Sequence, residues 1–399
     1  MCAFALWDSS IRMTLPLPAS PTHICVLRLS ALGDVCNLVP AIRAMQHQWP
    51  DARITWIVGR AEHSLLSGLD GVELVVYDKS TGLKGMYALW RQLSKTRFDV
   101  LVHAQQSIRA SILSLGLKAR VRLGYDAARA KDHQTWFTNC KLAPHPEAHV
   151  LASFVDFARA LGVQDELTAR DSLEWHIPIP DSAFAEAAEI TRGARYMVLS
   201  PCATPRRRNY RNWTAEGYAA VIDHAYRHQG LVTVLTGGRR EEEQAMIADI
   251  IERTRQLRAA HQEGEEGVPI DASGKTSLKG LLALIRRARV VIAPDSGPVH
   301  MANALGTPVL GLFATTNPDR AAPYLWRDYV VNRYPDAVTR YMHNTLDDIT
   351  WGARVRHPDA MQLITIDDVT SHLDRLLNVT AIRDHDDSPL FGKDIPRTV

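Results

Sequence analysis

Two short stretches of this chain bring chemistry-bearing side chains to the start of a helix. In APDSGPVHMANALGTPVLGLF (293–313), Asp295, Ser296 and Gly297 follow an apolar run and precede Pro298, a residue suited to a first helical turn. Free backbone N–H groups and the positive end of the helix dipole converge at such a start, which makes it an anion site. His300 falls in the first turn and can face the same point. Near the other end, Ser30, Gly33 and Asp34 in SALGD close an apolar strand and bring a carboxylate to a small glycine turn. A carboxylate at one such edge and an anion site at another suit an acid/base group working on a phosphate-bearing ligand. Two plainer roles compete: Asp34 as the cap of a helix starting at Val35, and His300 as a structural histidine bonding a turn carbonyl.

Both loops require a strand that ends where a helix begins. The β-branched runs at 23–29, 53–58, 72–77, 98–103 and 120–124 read as strands of a parallel sheet, with helices at 35–48, 83–95 and 150–161. A second set follows at 196–200, 231–236, 270–273, 289–293 and 309–313, with helices at 215–229, 241–260 and 278–288 between them. The expectation is an α/β protein of two Rossmann-like domains, 22–180 and 190–360, whose parallel sheets face each other across a cleft. The stretch 163–190 supplies the linker. A C-terminal helix within 361–379, a flexible lead-in over 1–21 and a mobile tail over 380–399 complete the layout. In open sheets of this kind ligands bind beyond the carboxyl ends of the strands, where both loops fall.

Composition narrows the function classes. At 399 residues two domains are expected, and 46% hydrophobic with 23% charged residues is ordinary for a globular protein. A formal charge of +2 gives no global field for nucleic acid, so any anion must be held locally. Cys2, Cys25, Cys36, Cys140 and Cys202 are dispersed without a C-x-x-C pair, which suits a reducing compartment and no disulfide frame or zinc site. No apolar run approaches the ~20 residues that span a bilayer. The expected location is the cytoplasm. Neither βα turn reads G-x-G-x-x-G, which argues against a dehydrogenase.

RLSALGDV (28–35) with the residues after it resembles the amino-terminal signature of the bacterial heptosyltransferases, glycosyltransferase family 9, which build the inner core of lipopolysaccharide. APDSGPVHMANALGTPVLGLFATTNPDRAAPY (293–324) is similar to that family's carboxy-terminal signature, and RNYRNWTAEGYAAVI to its central K-x-W-P-x-E-x-[FW] segment. The resemblance spans about 22–380. It implies a GT-B fold and an inverting transfer without metal or other cofactor. The implied partners are a nucleotide-sugar donor such as ADP-heptose and a lipid-linked or lipopolysaccharide core acceptor. The family's catalytic aspartate matches Asp34, the general base, with Ser30 and Gly33 on the acceptor side. The phosphate-binding lysine falls at Arg211. Asp295, Ser296, Gly297 and His300 match the donor motif. The acidic residue after the glycine turn falls at Arg239, leaving Glu241 next in reach and the donor's identity open.

Other groups carry less. Arg206–Arg208 could mark a nucleic-acid patch, but without a wider basic surface only Arg211 is given a role, and no nucleic-acid partner is expected. His145 and His149 lack a third metal ligand. The helix 83–95 presents Leu83, Met86, Tyr87, Trp90 and Leu93, chiefly for the core, although its rim could touch the lipid that carries the acceptor, as a peripheral inner-membrane contact. A nucleotide-sugar-binding protein without transfer activity and a GT-B hydrolase or epimerase are the rival functions.

Overall fold

The run HICVL (β1, His23–Leu27) is buried at every position, as a strand must be when helices cover both faces of its sheet. In the computed structural model, which describes residues 15–204 and 210–380, it is central to a six-stranded parallel sheet. After it come α1 (Leu32–Gln48), β2 (Arg53–Val58), α2 (Arg60–Leu66), β3 (Val72–Val76), α3 (Gly82–Gln92) and β4 (Arg97–His103). Then follow α4 (Ile108–Ser114), β5 (Lys118–Gly124), β6 (Cys140–Lys141) and α5 (Val150–Leu161). The strand order is β3-β2-β1-β4-β5-β6.

The chain divides into two compact units after Trp175. The second begins with α6 (Asp181–Thr191) and β7 (Tyr196–Leu199), then α7 (Ala215–Gln229), β8 (Val232–Leu235), α8 (Glu241–Ala260) and β9 (Ile270–Asp271). It continues through α9 (Leu278–Arg287), β10 (Val291–Pro294), α10 (Gly297–Ala304), β11 (Val309–Phe313), α11 (Pro318–Ala321) and β12 (Val331–Asn332) to α12 (Tyr334–Met342) and α13 (Ile366–Thr380). Its order, β12-β11-β10-β7-β8-β9, repeats that of the first sheet, and every pairing is parallel. In both sheets the winding reverses beside the first strand: between β1 and β4, and between β7 and β10.

Two expectations change. The segment 163–190 is not a bare linker, because it contains α6, whose Glu186 accepts from Ser277 N–H (2.7 Å) and Oγ–H (2.8 Å) at the start of α9. Residues 15–21 are not an untethered lead-in, since Leu17 N–H donates to Leu161 O at 3.2 Å. Residues 1–14, the arginine run 206–208 and the tail beyond Thr380 lie outside the described residues.

The first core encloses His103, fully buried at the end of β4. Gln134 Nε2 lies 3.1 Å from its Nδ1 and donates to its carbonyl at 2.8 Å. Burial, reinforced by the Arg122 cation, pushes the imidazole pKa down to about 3. In the unfolded chain it titrates near 6.5, so between those values the unfolded state binds the extra proton. Stability from the neutral ring is therefore complete above about pH 6.5 and is lost as pH falls toward 3. Melting temperature measured across that window should fall less steeply for His103→Leu than for the parent; equal slopes would clear His103 of the effect.

Candidate active site

β1 delivers Arg28 to the carboxyl edge of the first sheet. Its Nη1 donates to Ala104 O at 2.6 Å, its guanidinium carbon stands 5.2 Å from the centroid of Phe154, and its Nη2 pairs with the Asp34 carboxylate. Asp34 also accepts from Ala31 N–H at 3.2 Å. α1 begins at Leu32, earlier than expected, so Asp34 is its third residue and makes the backward half of a capping box. Structural and chemical roles thus coexist at one carboxylate. The arginine side chain is 11% exposed against 32% for Asp34, so the carboxylate is the member of the pair that solvent or a ligand reaches. Gln105, just beyond β4, accepts from the N–H groups of Leu29 (3.0 Å) and Ser30 (3.2 Å) and holds the turn across the winding reversal. Gly33 is buried in the first turn of α1.

A second carboxylate shares this field. Glu62, in the first turn of α2, is buried, and burial raises its pKa. Its own backbone N–H and the cations Lys79 and Arg28 oppose that rise, while Asp34 adds to it. Asp34 and Glu62 thus sit in the field of one arginine, the first reached by solvent and the second buried.

At the second winding reversal, Pro294 ends β10 and Asp295 leads into Ser296, the extended N-cap of α10. Ser296 Oγ is buried with no partner among the described residues and makes no cap bond. Arg211 reaches the same point from the loop after β7: Nη1 donates to Asp295 O at 2.5 Å and lies 3.3 Å from Oδ2, and Nη2 donates to Thr204 O at 3.4 Å. His300 Nε2 stands 4.0 Å from Asp295 Oδ1, and its side chain is largely buried. A helix start, an arginine, an imidazole and a buried hydroxyl without a partner together make a strong place for a diphosphate. Gly306, at φ +68°, ends the α10 segment before β11 in a conformation that side-chained residues resist.

The arginine loop is held by its neighbours. Asn212 Oδ1 accepts from Ala203 N–H at 2.8 Å, and buried Trp213 donates from Nε1 to Ile364 O at 3.0 Å. A Cβ on Gly217 would stand 2.5 Å from the Trp213 ring, so only glycine lets α7 approach it. Thr214 caps α7 by accepting from Gly217 N–H at 3.1 Å.

Arg211, Asp295, Ser296, Gly297 and His300 come together at one edge, and Ser30, Gly33 and Asp34 at the other. Glu241 does not join the glycine turn. It is exposed at the first position of α8, and the carboxylate against Gly238 belongs to Glu243, whose Oε2 would lie 2.2 Å from a Cβ there. Arg239 donates from Nε to Gly274 O at 2.9 Å. His145 pairs with Asp156 at 2.9 Å, and His149 caps α5 through Leu151 N–H at 3.0 Å. Arg28, Gln105, Glu62 and Glu243 went unmarked in the sequence. Arg28 stands in the matched RLSALGD segment; the others gave no signal, because only tertiary packing brings them to the edges.

Residues 86–348 match glycosyltransferase family 9 (heptosyltransferase). The chain is 35% identical over 357 residues to the lipopolysaccharide core heptosyltransferase OpsX of Haemophilus influenzae, covering 90% of this chain and 97% of the relative. It is 25% identical over 352 residues to a lipopolysaccharide heptosyltransferase 3 of Escherichia coli, covering 86% and 96%. Among solved structures, the Escherichia coli ADP-heptose lps heptosyltransferase II superposes with a TM-score of 0.64 at 19% identity, over 89% of this chain and 98% of that one. A family 9 glycosyltransferase of Veillonella parvula gives 0.67 at 20% identity, over 93% and 99%. Those likenesses identify the fold as GT-B. A family match over most of the length, and a relative this similar along nearly all of it, make this chain a member of glycosyltransferase family 9.

Proposed function

We propose that the enzyme moves a heptose from ADP-heptose to the inner core of a lipopolysaccharide acceptor, on the cytoplasmic side of the inner membrane and in peripheral contact with it. The reading rests most on the meeting of Arg211 with the α10 start beside Asp295 in a family 9 chain. ADP is the nucleotide in a solved complex of the Escherichia coli heptosyltransferase WaaC, which favours the same base here. The second unit takes the donor and the first the acceptor. Asp34 removes the proton of the acceptor hydroxyl, the oxygen attacks the anomeric carbon, and the bond from that carbon to the diphosphate oxygen breaks with inversion. ADP leaves with the electron pair, and Arg211 with the N–H groups at Ser296 and Gly297 meets the charge as it forms. No metal takes part in this scheme. Arg28 holds the Asp34 carboxylate in place rather than touching the acceptor.

ADP should raise the melting temperature more than UDP or GDP does, and should do so equally in EDTA, because binding to the folded state stabilises it by mass action. A larger shift with UDP would overturn the donor, and a shift abolished by EDTA would overturn the metal-free scheme.

Arg211→Ala should weaken ADP binding and slow transfer together, by about 10²–10³-fold in turnover, the usual cost of one charge-stabilising donor. Arg211→Lys keeps the charge but cannot reach Asp295 and Thr204 with one fork, so it should fall between Ala and the parent. Steady-state kinetics on both variants check this, and a Lys variant as poor as Ala would place the requirement in the fork.

Asp34→Asn can still accept the Ala31 N–H but cannot take a proton. Its turnover should fall by about 10²–10⁴-fold while ADP binding stays unchanged. Losing the charge opposite partly buried Arg28 should also cost about 1–3 kcal/mol of stability, so rates are compared well below the variant's own melting point. Turnover near the parent's under those conditions would leave Asp34 a structural residue only.

A further inference from the structure

One face of the first unit is apolar and basic where nothing described covers it. α3 and α4 lie side by side, with Met86 and Leu89 of α3 and Ala110 and Leu113 of α4 in one buried cluster, and Trp90 Nε1 donating to Leu113 O at 2.8 Å. Their outward stripes stay apolar. Leu83 and Tyr87, one turn apart on α3, are 80% and 67% exposed, and Ile108 and Ile112, one turn apart on α4, are exposed as well. Trp136, 77% exposed, joins them from the turn after β5, which is fastened to α4 where Asp132 accepts from Ile108 N–H at 3.3 Å. Single exposed apolar residues need no explanation, but a cluster with two amphipathic aromatics does.

Charge names the occupant. Across α3, α4 and the turn 131–137, Lys84, Arg91, Arg109 and Lys131 are exposed against one acid, Asp132, in a chain whose formal charge is only +2. That acid is itself engaged, accepting from Ile108 N–H. Lys84 lies between the two exposed residues of α3, and Arg109 directly follows Ile108. A second copy meeting this face across a two-fold axis would set cations against cations, which disfavours self-association. An anionic bilayer meets both features: its headgroups attract the cations, and its interfacial layer takes the rings of Tyr87 and Trp136 and the Leu83 side chain. The first turns of α3 and α4 follow the carboxyl ends of β3 and β4, the same sheet edge that carries Asp34.

We infer that the outward face of α3 and α4, with Trp136, is a docking surface for a membrane containing anionic lipid. The inference rests on the proposed reading only in that a lipid-borne acceptor would then arrive beside the Asp34 edge. The test is flotation of the full chain with vesicles of phosphatidylcholine, with and without phosphatidylglycerol. The chain should float with the phosphatidylglycerol vesicles, less so in high salt, and not with phosphatidylcholine alone. The variant Leu83→Ser/Tyr87→Ser/Trp136→Ser and the variant Lys84→Glu/Arg109→Glu should each lower partitioning about tenfold or more, while both keep the parent's thermal shift with ADP. Failure of the parent to float, or flotation of both variants at the parent's level, would overturn the docking surface. So would a parent dimer in sedimentation that the apolar variant converts to monomer. Flotation involves neither donor nor transfer, so a wrong donor would appear in the nucleotide comparison and leave this result standing.

Discussion

Everything in this molecule follows from the direction of its strands. A parallel sheet puts all its strand-to-helix joints on one edge, where the first N–H groups of each helix lack partners inside the helix. Where the winding reverses, two neighbouring joints turn away from each other and open a space at that edge. The protein uses this geometry twice with opposite chemistry. One reversal carries acids, Asp34 and Glu62, around Arg28; the other carries the Ser296 helix start with Arg211 and His300. The same backbone rule thus yields an edge lined by acids and an edge lined by N–H groups and cations.

The pairing of Arg28 with Asp34 shows how a candidate base is kept in position. The carboxylate bonds Ala31 N–H below it and the guanidinium beside it, while the guanidinium is fixed by Ala104 O and the face of Phe154. Fixed charges of this kind need no rearrangement when a substrate arrives, which is where preorganised sites draw their advantage over water. Asp295 acts on Arg211 in the same way, although there the backbone carbonyl contributes as well as the carboxylate.

Much of the fold was legible because long amphipathic helices and β-branched runs have strong periods: β2, α5, α7, α8 and β11 fall where the pattern puts them. The short elements were not. α2 and α4 have seven residues each, too few for a helical period to show, and α6, among prolines, looked like a connection. The site was legible where one segment holds both turn and chemistry, as in Asp295–Gly297. It was illegible where partners are far apart in sequence. Gln105 stands 76 positions from the Leu29 N–H that it accepts, and no local pattern could have coupled them. Glu241 is the acid next in reach of the glycine turn along the sequence, yet in α8 it is Glu243, the third residue, that turns back against Gly238, while Glu241 faces solvent.

The bond from Trp213 to the carbonyl of Ile364 joins the arginine loop to the approach of α13, 151 positions later. α13 is tied to α7 again by His224 and Asp374 at 3.0 Å. The loop that carries Arg211 is therefore not a portable module. In a chimaera built by exchanging second units between family members, a crossover placed after β12 would join one parent's tryptophan to the other parent's helix. Interchange of specificity between relatives accordingly has its natural seam after Trp175, with the closing helix travelling in the same piece as the loop it braces.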